Sequence, residues 1–222
     1  MAEDGMAKNK PTKYEKWWRK LHRIEKFLFR IFFPYKKYGH TEVYDDRNYI
    51  FVCNHLSFLD VFFVLVATSK PIHFIAKKEL FEKGIFKNFV VKCQCIKVSR
   101  DGTDVKAVMQ SMKYLKDGEN ISVFPEGTRN RSDQILLPFK SGASALSIKT
   151  KTPIVPIVQL HKAKFLRRSR VLYGEPLEFS EYYGRRLCDA DIAECDEKLR
   201  NTMIEMYTRL EDMTGKRKHK KK

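Results

Sequence analysis

The chain has little cysteine, and its few cysteines do not form a disulfide or metal-binding pattern. The 222 residues include five, an odd number without the paired spacing of zinc ligands. We therefore expect reduced thiols, as in cytosolic proteins. They are Cys53, Cys93, Cys95, Cys188 and Cys195.

Two further features are missing from the sequence. The first twenty residues contain no uninterrupted apolar segment, so no secretory signal is expected and the chain should stay on the cytosolic side. No Gly-x-Ser-x-Gly sequence is present, which excludes the nucleophile elbow of α/β-hydrolases. Residues 49–69 are apolar, but a membrane span there would bury Asp60 near its middle, at a cost of about 3 kcal/mol. We interpret this run as a strand, a turn and a buried helix.

Acidic residues are scarce relative to basic ones. The 27 acidic against 44 basic side chains give a net charge of +17, which indicates an anionic partner: nucleic acid, an acidic membrane or phosphorylated substrates. The 43% hydrophobic content, with 16 Phe, is sufficient for one globular core.

A histidine and a carboxylate follow an apolar run. Residues 49–53 predict a buried strand and residues 58–67 a helix, which places His55 in the turn between them. Such turns commonly carry the chemistry of α/β proteins. Asp60 can fix the imidazole tautomer and stabilise the imidazolium, so His55 is a candidate general base. Ser57 and Asp60 also fit a helix capping box, and the two roles can coexist.

A second charged motif follows another short β-prone run. Residues 121–124 predict a strand, and the Pro-Glu-Gly sequence after it predicts a tight loop. That loop carries Glu126, Arg129 and Arg131. A second strand is therefore expected to deliver charged groups at its carboxyl end.

Together the two motifs resemble the sequence blocks of the 1-acyl-glycerol-3-phosphate acyltransferase family. The first block of that family is Asn-His-x4-Asp, matched by residues 54–60, and the third is Phe-Pro-Glu-Gly-Thr-Arg, matched by residues 124–129. The resemblance covers about residues 45–160. It implies transfer of a fatty acyl group from a thioester to the sn-2 hydroxyl of 1-acyl-glycerol-3-phosphate, which makes phosphatidic acid for phospholipid biosynthesis.

The resemblance also implies roles for particular residues. It makes His55 the catalytic base and Asp60 the carboxylate that orients it. It implies that Glu126 accepts a hydrogen bond from a glycerol hydroxyl, although an ion pair with Arg129 or Arg131 is an alternative. Lys140 either contacts phosphate or is a solvated lysine at a helix end. The substrate-binding residues implied in this way are Arg100, Glu126, Gly127, Thr128, Arg129 and Lys140.

The resemblance implies no metal and no bound cofactor. The acyl donor, acyl-CoA or acyl-carrier protein, would be a co-substrate, and lysophosphatidic acid would be the acceptor. Because Ser57 is not in a nucleophile elbow, we expect direct transfer without a covalent acyl-enzyme.

The segment from Lys13 to Phe33 predicts an amphipathic helix that Pro34 ends. Aromatic residues on one side and cations on the other are typical of a helix at the interface of an anionic bilayer. Packing of the apolar stripe on the domain core is the alternative. The residues expected to contact membrane are Trp17, Trp18, Leu21, Ile24 and Leu28, with Arg19, Arg23, Lys26 and Arg30.

Alternating strand and helix patterns predict an α/β fold with a mixed central sheet flanked by helices. With the N-terminal membrane-interface helix, this predicts three segments. Residues 1–37 are a tail and the interfacial helix, 38–214 the acyltransferase domain, and 215–222 a basic tail. The expected location is the cytoplasmic face of a membrane, as a peripheral or monotopic protein.

Other functions remain open at this point. One is acyl transfer to glycerol-3-phosphate or another lysophospholipid. Another is a basic protein that binds nucleic acid or membrane without catalysis. A nucleic-acid-binding protein should show a recognition helix or aromatics interleaved with cations on a sheet face, and neither is visible. Nucleic acid is therefore not an expected partner.

Overall fold

A computed structural model describes residues 13–40, 42–82, 84, 87–99, 104–140 and 142–215. The helices are α1 (Lys13–Phe32), α2 (Asp60–Leu65), α3 (Glu79–Glu82), α4 (Lys87–Lys92), α5 (Val105–Lys116), α6 (Ala143–Thr150) and α7 (Asp189–Thr214). The strands are β1 (Tyr35–Gly39), β2 (Ile50–Cys53), β3 (Ile72–Lys77), β4 (Ile96–Val98), β5 (Asn120–Val123), β6 (Ile154–Gln159) and β7 (Ser169–Tyr173).

One mixed sheet, in the order β1-β7-β6-β2-β5-β3-β4, forms the centre of the fold. The pairing of β6 with β7 is antiparallel, and the other neighbours pair in parallel. β2 lies between β5 and β6, so the turn that carries His55 starts from the middle of the sheet. The predicted α/β fold with a mixed sheet is confirmed.

Helices cover both faces of the sheet. The side chains of β2 alternate between two apolar clusters, Phe51 and Cys53 on one face and Ile50 and Val52 on the other. All four are fully buried, as expected for a central strand with both faces covered. Helices α1, α2 and α4 contribute to the first cluster, and α5, α6 and α7 contribute to the second.

Strand β1 is absent from the predicted set of elements. It pairs with β7 along residues 35–39, and its polar sequence lacks the apolar alternation by which strands are recognised. The predicted boundary between residues 37 and 38 falls inside this strand. α1 therefore leads directly into the sheet, without a linker.

Trp18 corrects the set of residues expected to contact membrane. Only 1% of it is exposed, and it belongs to the same apolar cluster as Phe29, at 4%. At 100° per residue these two side chains are within about 20° of each other on the helix, so both face the sheet. Phe29 stacks on Phe62 of α2 with ring centroids 4.7 Å apart. Trp17 is partly buried against the same cluster.

The rest of the apolar stripe on α1 faces outward. Ile24 and Leu28 are 48% and 45% exposed, and Phe27 is 65% exposed. Arg19, Arg23 and Arg30 are exposed and Lys26 is half-buried, whereas the side chain of Leu21 lies outside the described residues. In the part of the chain that the structure describes, no helix is both long and apolar enough to cross a membrane.

The two sides of α1 should differ in their effect on stability. We expect Trp18→Ala to lower the free energy of unfolding by about 3–5 kcal/mol, because it opens a cavity in the core. Phe27→Ala is the matched control, with an expected change of about 0.5 kcal/mol or less. Urea unfolding followed by circular dichroism measures both. Equal effects would show that Trp18 is not packed in the core.

Candidate active site

His55 and Asp60 form a hydrogen-bonded pair at the carboxyl end of β2. Nδ1 of His55 lies 3.0 Å from Oδ2 of Asp60. Asp60 is fully buried, and the His55 side chain is 18% exposed. A carboxylate at Nδ1 favours the tautomer with the proton on that nitrogen, which leaves Nε2 unprotonated. His55 can therefore accept a proton at Nε2.

Asp60 also shapes the turn. Its Oδ2 accepts from the backbone N–H groups of Leu56 and Ser57, each at 2.6 Å, and its Oδ1 accepts from the Ser57 hydroxyl at 2.8 Å. Asp60 thus bonds both the imidazole and Ser57, but the expected capping box does not form, because the N-cap residue of α2 is Leu59, without a side-chain cap hydrogen bond. The same bonds hold the Ser57 hydroxyl against a carboxylate oxygen, in keeping with a structural use of this serine.

The end of β5 packs against the histidine. Phe124 stacks on the imidazole of His55 with ring centroids 4.3 Å apart and an angle of 27° between the planes. Because β2 and β5 are adjacent and parallel, their carboxyl ends meet at one edge of the sheet. This pairing brings the two sequence motifs together.

Glu126 holds the two motifs to each other. Its Oε1 accepts from the backbone N–H of His55 at 2.7 Å, and its Oε2 accepts from the backbone N–H of Leu137 at 2.9 Å. Burial raises the pKa of this carboxyl, and the two backbone hydrogen bonds oppose the rise. The residue is only 1% exposed.

The geometry around Glu126 corrects the substrate-binding role that was expected for it. With both oxygens bonded to backbone groups and almost no exposed surface, Glu126 is not placed to bind a glycerol hydroxyl. The alternative, an ion pair with Arg129 or Arg131, is not observed either, because backbone N–H groups bond both oxygens. Glu126 positions the backbone of His55.

Two amide side chains at the site, Asn54 and Asn130, lie outside the predicted set. Asn54 exchanges two hydrogen bonds with the backbone of Gln159, at 3.0 and 2.9 Å, and joins the ends of β2 and β6. Asn130 donates its backbone N–H to the carbonyl of His55 at 2.6 Å, and its side chain folds the following loop through Ser132 and Gln134. The contacts of Asn54 with Gln159 and of Asn130 with His55 join residues distant in sequence, so single-sequence patterns gave no signal for them.

The residues with exposed surface lie on the loop after β5. Gly127 and Thr128 are exposed, and Arg129 is half-buried with its guanidinium 4.3 Å from the ring centroid of Phe58. Gly127 has φ +62°, a conformation that favours glycine. The exposed Lys140 passes over it, so that a Cβ at residue 127 would lie 2.9 Å from the Lys140 Cδ.

Arg100, one of the expected substrate-binding residues, lies outside the described residues.

A basic cleft of about 920 Å³ opens beside the turn, next to Leu56 and Asn130. One wall is the segment between β6 and β7, which was not predicted as part of the site, although its run of cations is visible in the sequence. Several cations line the cleft. Those cations are Arg131, Lys162, Lys164, Arg167, Arg168 and Arg170.

Cysteine is not placed for nucleophilic chemistry at this site. Cys53, two residues before His55, is fully buried, and burial raises the pKa of its thiol well above the usual range. Within the described residues, no three His, Cys, Asp or Glu side chains are grouped in a way that would hold a metal ion.

The arrangement is that of an α/β enzyme with a hydrogen-bonded His–Asp pair next to a cationic cleft. A family model described as Acyltransferase matches residues 35–159, which is more than half of the chain. The chain therefore belongs to the acyltransferase family.

Several similar proteins carry one name, 1-acyl-sn-glycerol-3-phosphate acyltransferase. The protein from Bacillus subtilis is 29% identical over 153 residues, 66% of this chain and 75% of its own length. The protein from Cocos nucifera is 32% identical over 52% of this chain and 38% of its own length. That from Helicobacter pylori is 30% identical over 61% of this chain and 55% of its own length.

A solved structure has the same fold. The 1-acyl-sn-glycerophosphate acyltransferase from Thermotoga maritima matches with a TM-score of 0.63 over 91% of this chain and 80% of its own. The identity is 22%, so this similarity bears on the fold alone.

The positioning role of Glu126 predicts a particular kinetic change. In Glu126→Gln, one backbone N–H would face a side-chain NH₂ instead of an oxygen, and the turn that holds His55 would shift. We expect kcat for acyl transfer to fall by on the order of 100-fold, with little change in the KM for the acceptor. Steady-state kinetics measures both constants.

Asp133→Asn is the matched control, since it makes the same chemical change on an exposed residue of the same loop. It should keep both constants. A raised KM with unchanged kcat in Glu126→Gln would instead indicate that Glu126 binds the acceptor.

Proposed function

We propose that this protein transfers a fatty acyl group from an acyl thioester to the sn-2 hydroxyl of 1-acyl-glycerol-3-phosphate and so forms phosphatidic acid. The observation that carries the proposal is the His55–Asp60 pair, 3.0 Å apart, at the carboxyl end of β2 beside the basic cleft. The names of the similar proteins support the choice of acceptor.

The chemistry follows from the hydrogen bonds at His55. Nε2 takes the proton of the acceptor hydroxyl as that oxygen attacks the carbonyl carbon of the thioester. Asp60 stabilises the imidazolium that forms. The tetrahedral intermediate then collapses, the C–S bond breaks, and the leaving thiolate takes the proton from the imidazolium. No resident metal or cofactor takes part in these steps.

Cations around the turn suit a phosphate-bearing acceptor. Arg129 is held over Phe58, and its fork of N–H donors can bind two phosphate oxygens. Lys140 lies against the same loop and can add a second charge. Arg100 is assigned to the same phosphate on the family resemblance. Held in this way, the hydroxyl is oriented toward the thioester, which supplies the proximity part of catalysis.

The acyl donor is a co-substrate with an anionic carrier. Acyl-CoA and acyl-carrier protein both present a negatively charged group next to the thioester, and the cations of the cleft suit either one.

Direct transfer predicts different effects of two neighbouring substitutions. His55→Ala removes the base and should lower turnover by at least about 100-fold. Ser57→Ala removes one hydrogen bond to Asp60 and should lower it by less than about tenfold. The measurement is thiol release from palmitoyl-CoA or palmitoyl-acyl-carrier protein, with 1-acyl-glycerol-3-phosphate and anionic vesicles.

Three outcomes would contradict the proposal. Full activity of His55→Ala would exclude His55 as the base. Total loss in Ser57→Ala with retained folding would indicate a covalent acyl-serine. Thiol release that requires glycerol-3-phosphate and ignores its 1-acyl derivative would replace the proposed acceptor.

We also propose that α1 binds the cytoplasmic face of an anionic membrane as a peripheral element. Its exposed apolar residues, Ile24, Phe27 and Leu28, lie beside the cations Arg19, Arg23 and Arg30. Apolar groups inserted below the headgroups and cations at phosphate level are the two contributions that retain such helices.

The exposed side of α1 can be tested by charge insertion. Phe27→Glu should lower binding to anionic vesicles by about tenfold, because a carboxylate would have to enter the apolar layer. Met109→Glu on α5 is the control, since Met109 and Phe27 are both 65% exposed. Co-sedimentation with vesicles measures both. Equal binding of the two variants would exclude this side of α1 as the membrane contact.

A further inference from the structure

The segment between β6 and β7 ends in a tight turn with two large apolar residues at its tip. The backbone N–H of Arg167 donates to the carbonyl of Lys164 at 3.0 Å, which closes a four-residue turn. Phe165 and Leu166 are its central residues, and they are 61% and 63% exposed. Neither the sequence motifs nor the proposed chemistry uses them.

The backbone at this tip is unfavourable for its sequence. Leu166 has φ +53°, and turns that need a positive φ at this position favour glycine or asparagine. A branched apolar residue in this conformation is strained. Strain of this kind, at an exposed site where a polar residue would fit better, points to a use for the side chain outside the fold.

The tip continues the exposed side of α1. The Phe165 ring stacks on Phe32 with centroids 5.8 Å apart and lies edge-on to Phe33 at 6.1 Å. The backbone N–H of Leu166 donates to the carbonyl of Phe32 at 2.7 Å. Ile31 and Phe32 are themselves 48% and 42% exposed, so the turn and the end of α1 form one apolar surface.

Cations surround this surface on the side of the turn. Lys162, Lys164, Arg167 and Arg168 are exposed and lie within four residues of the tip. An apolar tip flanked by cations complements an anionic bilayer, because the acyl chains can take up the apolar side chains and the lipid phosphates can bind the cations. An acidic protein surface could pair with these cations, but it has no acyl-chain layer to take up two protruding apolar side chains.

We propose that the turn 164–167 is a second membrane contact, in which Phe165 and Leu166 enter the acyl-chain region and the flanking cations bind lipid phosphates. The inference rests on the proposed function in that both place α1 at an anionic bilayer. Leu166 also lines the basic cleft, as does Leu56, the residue after His55.

Leu166→Gly separates a membrane role from a structural one. Glycine accepts the positive φ without strain and keeps the N–H that bonds to Phe32, so we expect an unchanged or higher melting temperature. Binding to vesicles of phosphatidylcholine and phosphatidylglycerol should nevertheless fall. Phe165→Asp should fold and should lower vesicle binding by about tenfold or more. Met109→Asp, equally exposed on α5, should bind like the parent protein.

Flotation of the full chain with these vesicles, without substrates, measures the binding. Loss of binding in both tip variants, with retained melting temperature, supports the contact. Parent-like binding of both would overturn it, and so would equal loss in Met109→Asp. Equal binding of the parent to vesicles of phosphatidylcholine alone would overturn the role of the flanking cations.

Activity is measured separately with a short-chain, monomeric 1-acyl-glycerol-3-phosphate. Phe165→Asp, whose residue does not line the cleft, should turn over this acceptor like the parent, and it should be slower than the parent only with vesicle-bound acceptor. A parent protein that binds vesicles through the tip but transfers no acyl group would refute the proposed function and leave this contact standing.

Discussion

The site depends on one buried carboxylate that joins two distant parts of the chain. Glu126 accepts the backbone N–H of His55 through one oxygen and that of Leu137 through the other. An unpaired backbone donor in the interior costs about 1–3 kcal/mol, so these two hydrogen bonds favour a single arrangement of the turn and the loop. Glu126 therefore helps to fix the His55–Asp60 pair relative to the cations of that loop.

Much of the fold, and the contact between His55 and Asp60, could be predicted from the sequence because their signals are local. The apolar runs of β2, β5 and β6 and the five-residue spacing of His55 and Asp60 can each be read without knowledge of the rest of the chain. The roles of Asn54 and Glu126 could not, since their partners, Gln159 and Leu137, are brought near by the order of strands in the sheet. The same limit applies to β1, whose polar sequence pairs with β7.

Helix α1 shows why an apolar helix face can be misassigned. Its apolar residues form two sectors, one toward the sheet with Trp18 and Phe29 and one outward with Ile24 and Phe27. In a helical projection the sectors adjoin, so Trp18 reads as part of a single broad face. Only the position of the sheet distinguishes them. The buried sector thus attaches the helix to the domain core, and the apolar residues of the outer sector stay exposed.

The contacts of His55 also determine which segments can be exchanged between related enzymes. Both backbone groups of this residue are bonded to the loop after β5, the N–H to Glu126 and the carbonyl to Asn130, and its ring is stacked on Phe124. The two motifs therefore form one mechanical unit, although 71 residues separate His55 from Glu126. A chimera that exchanged either segment alone would have to reproduce the same three contacts. The two segments should therefore be exchanged together between acyltransferases.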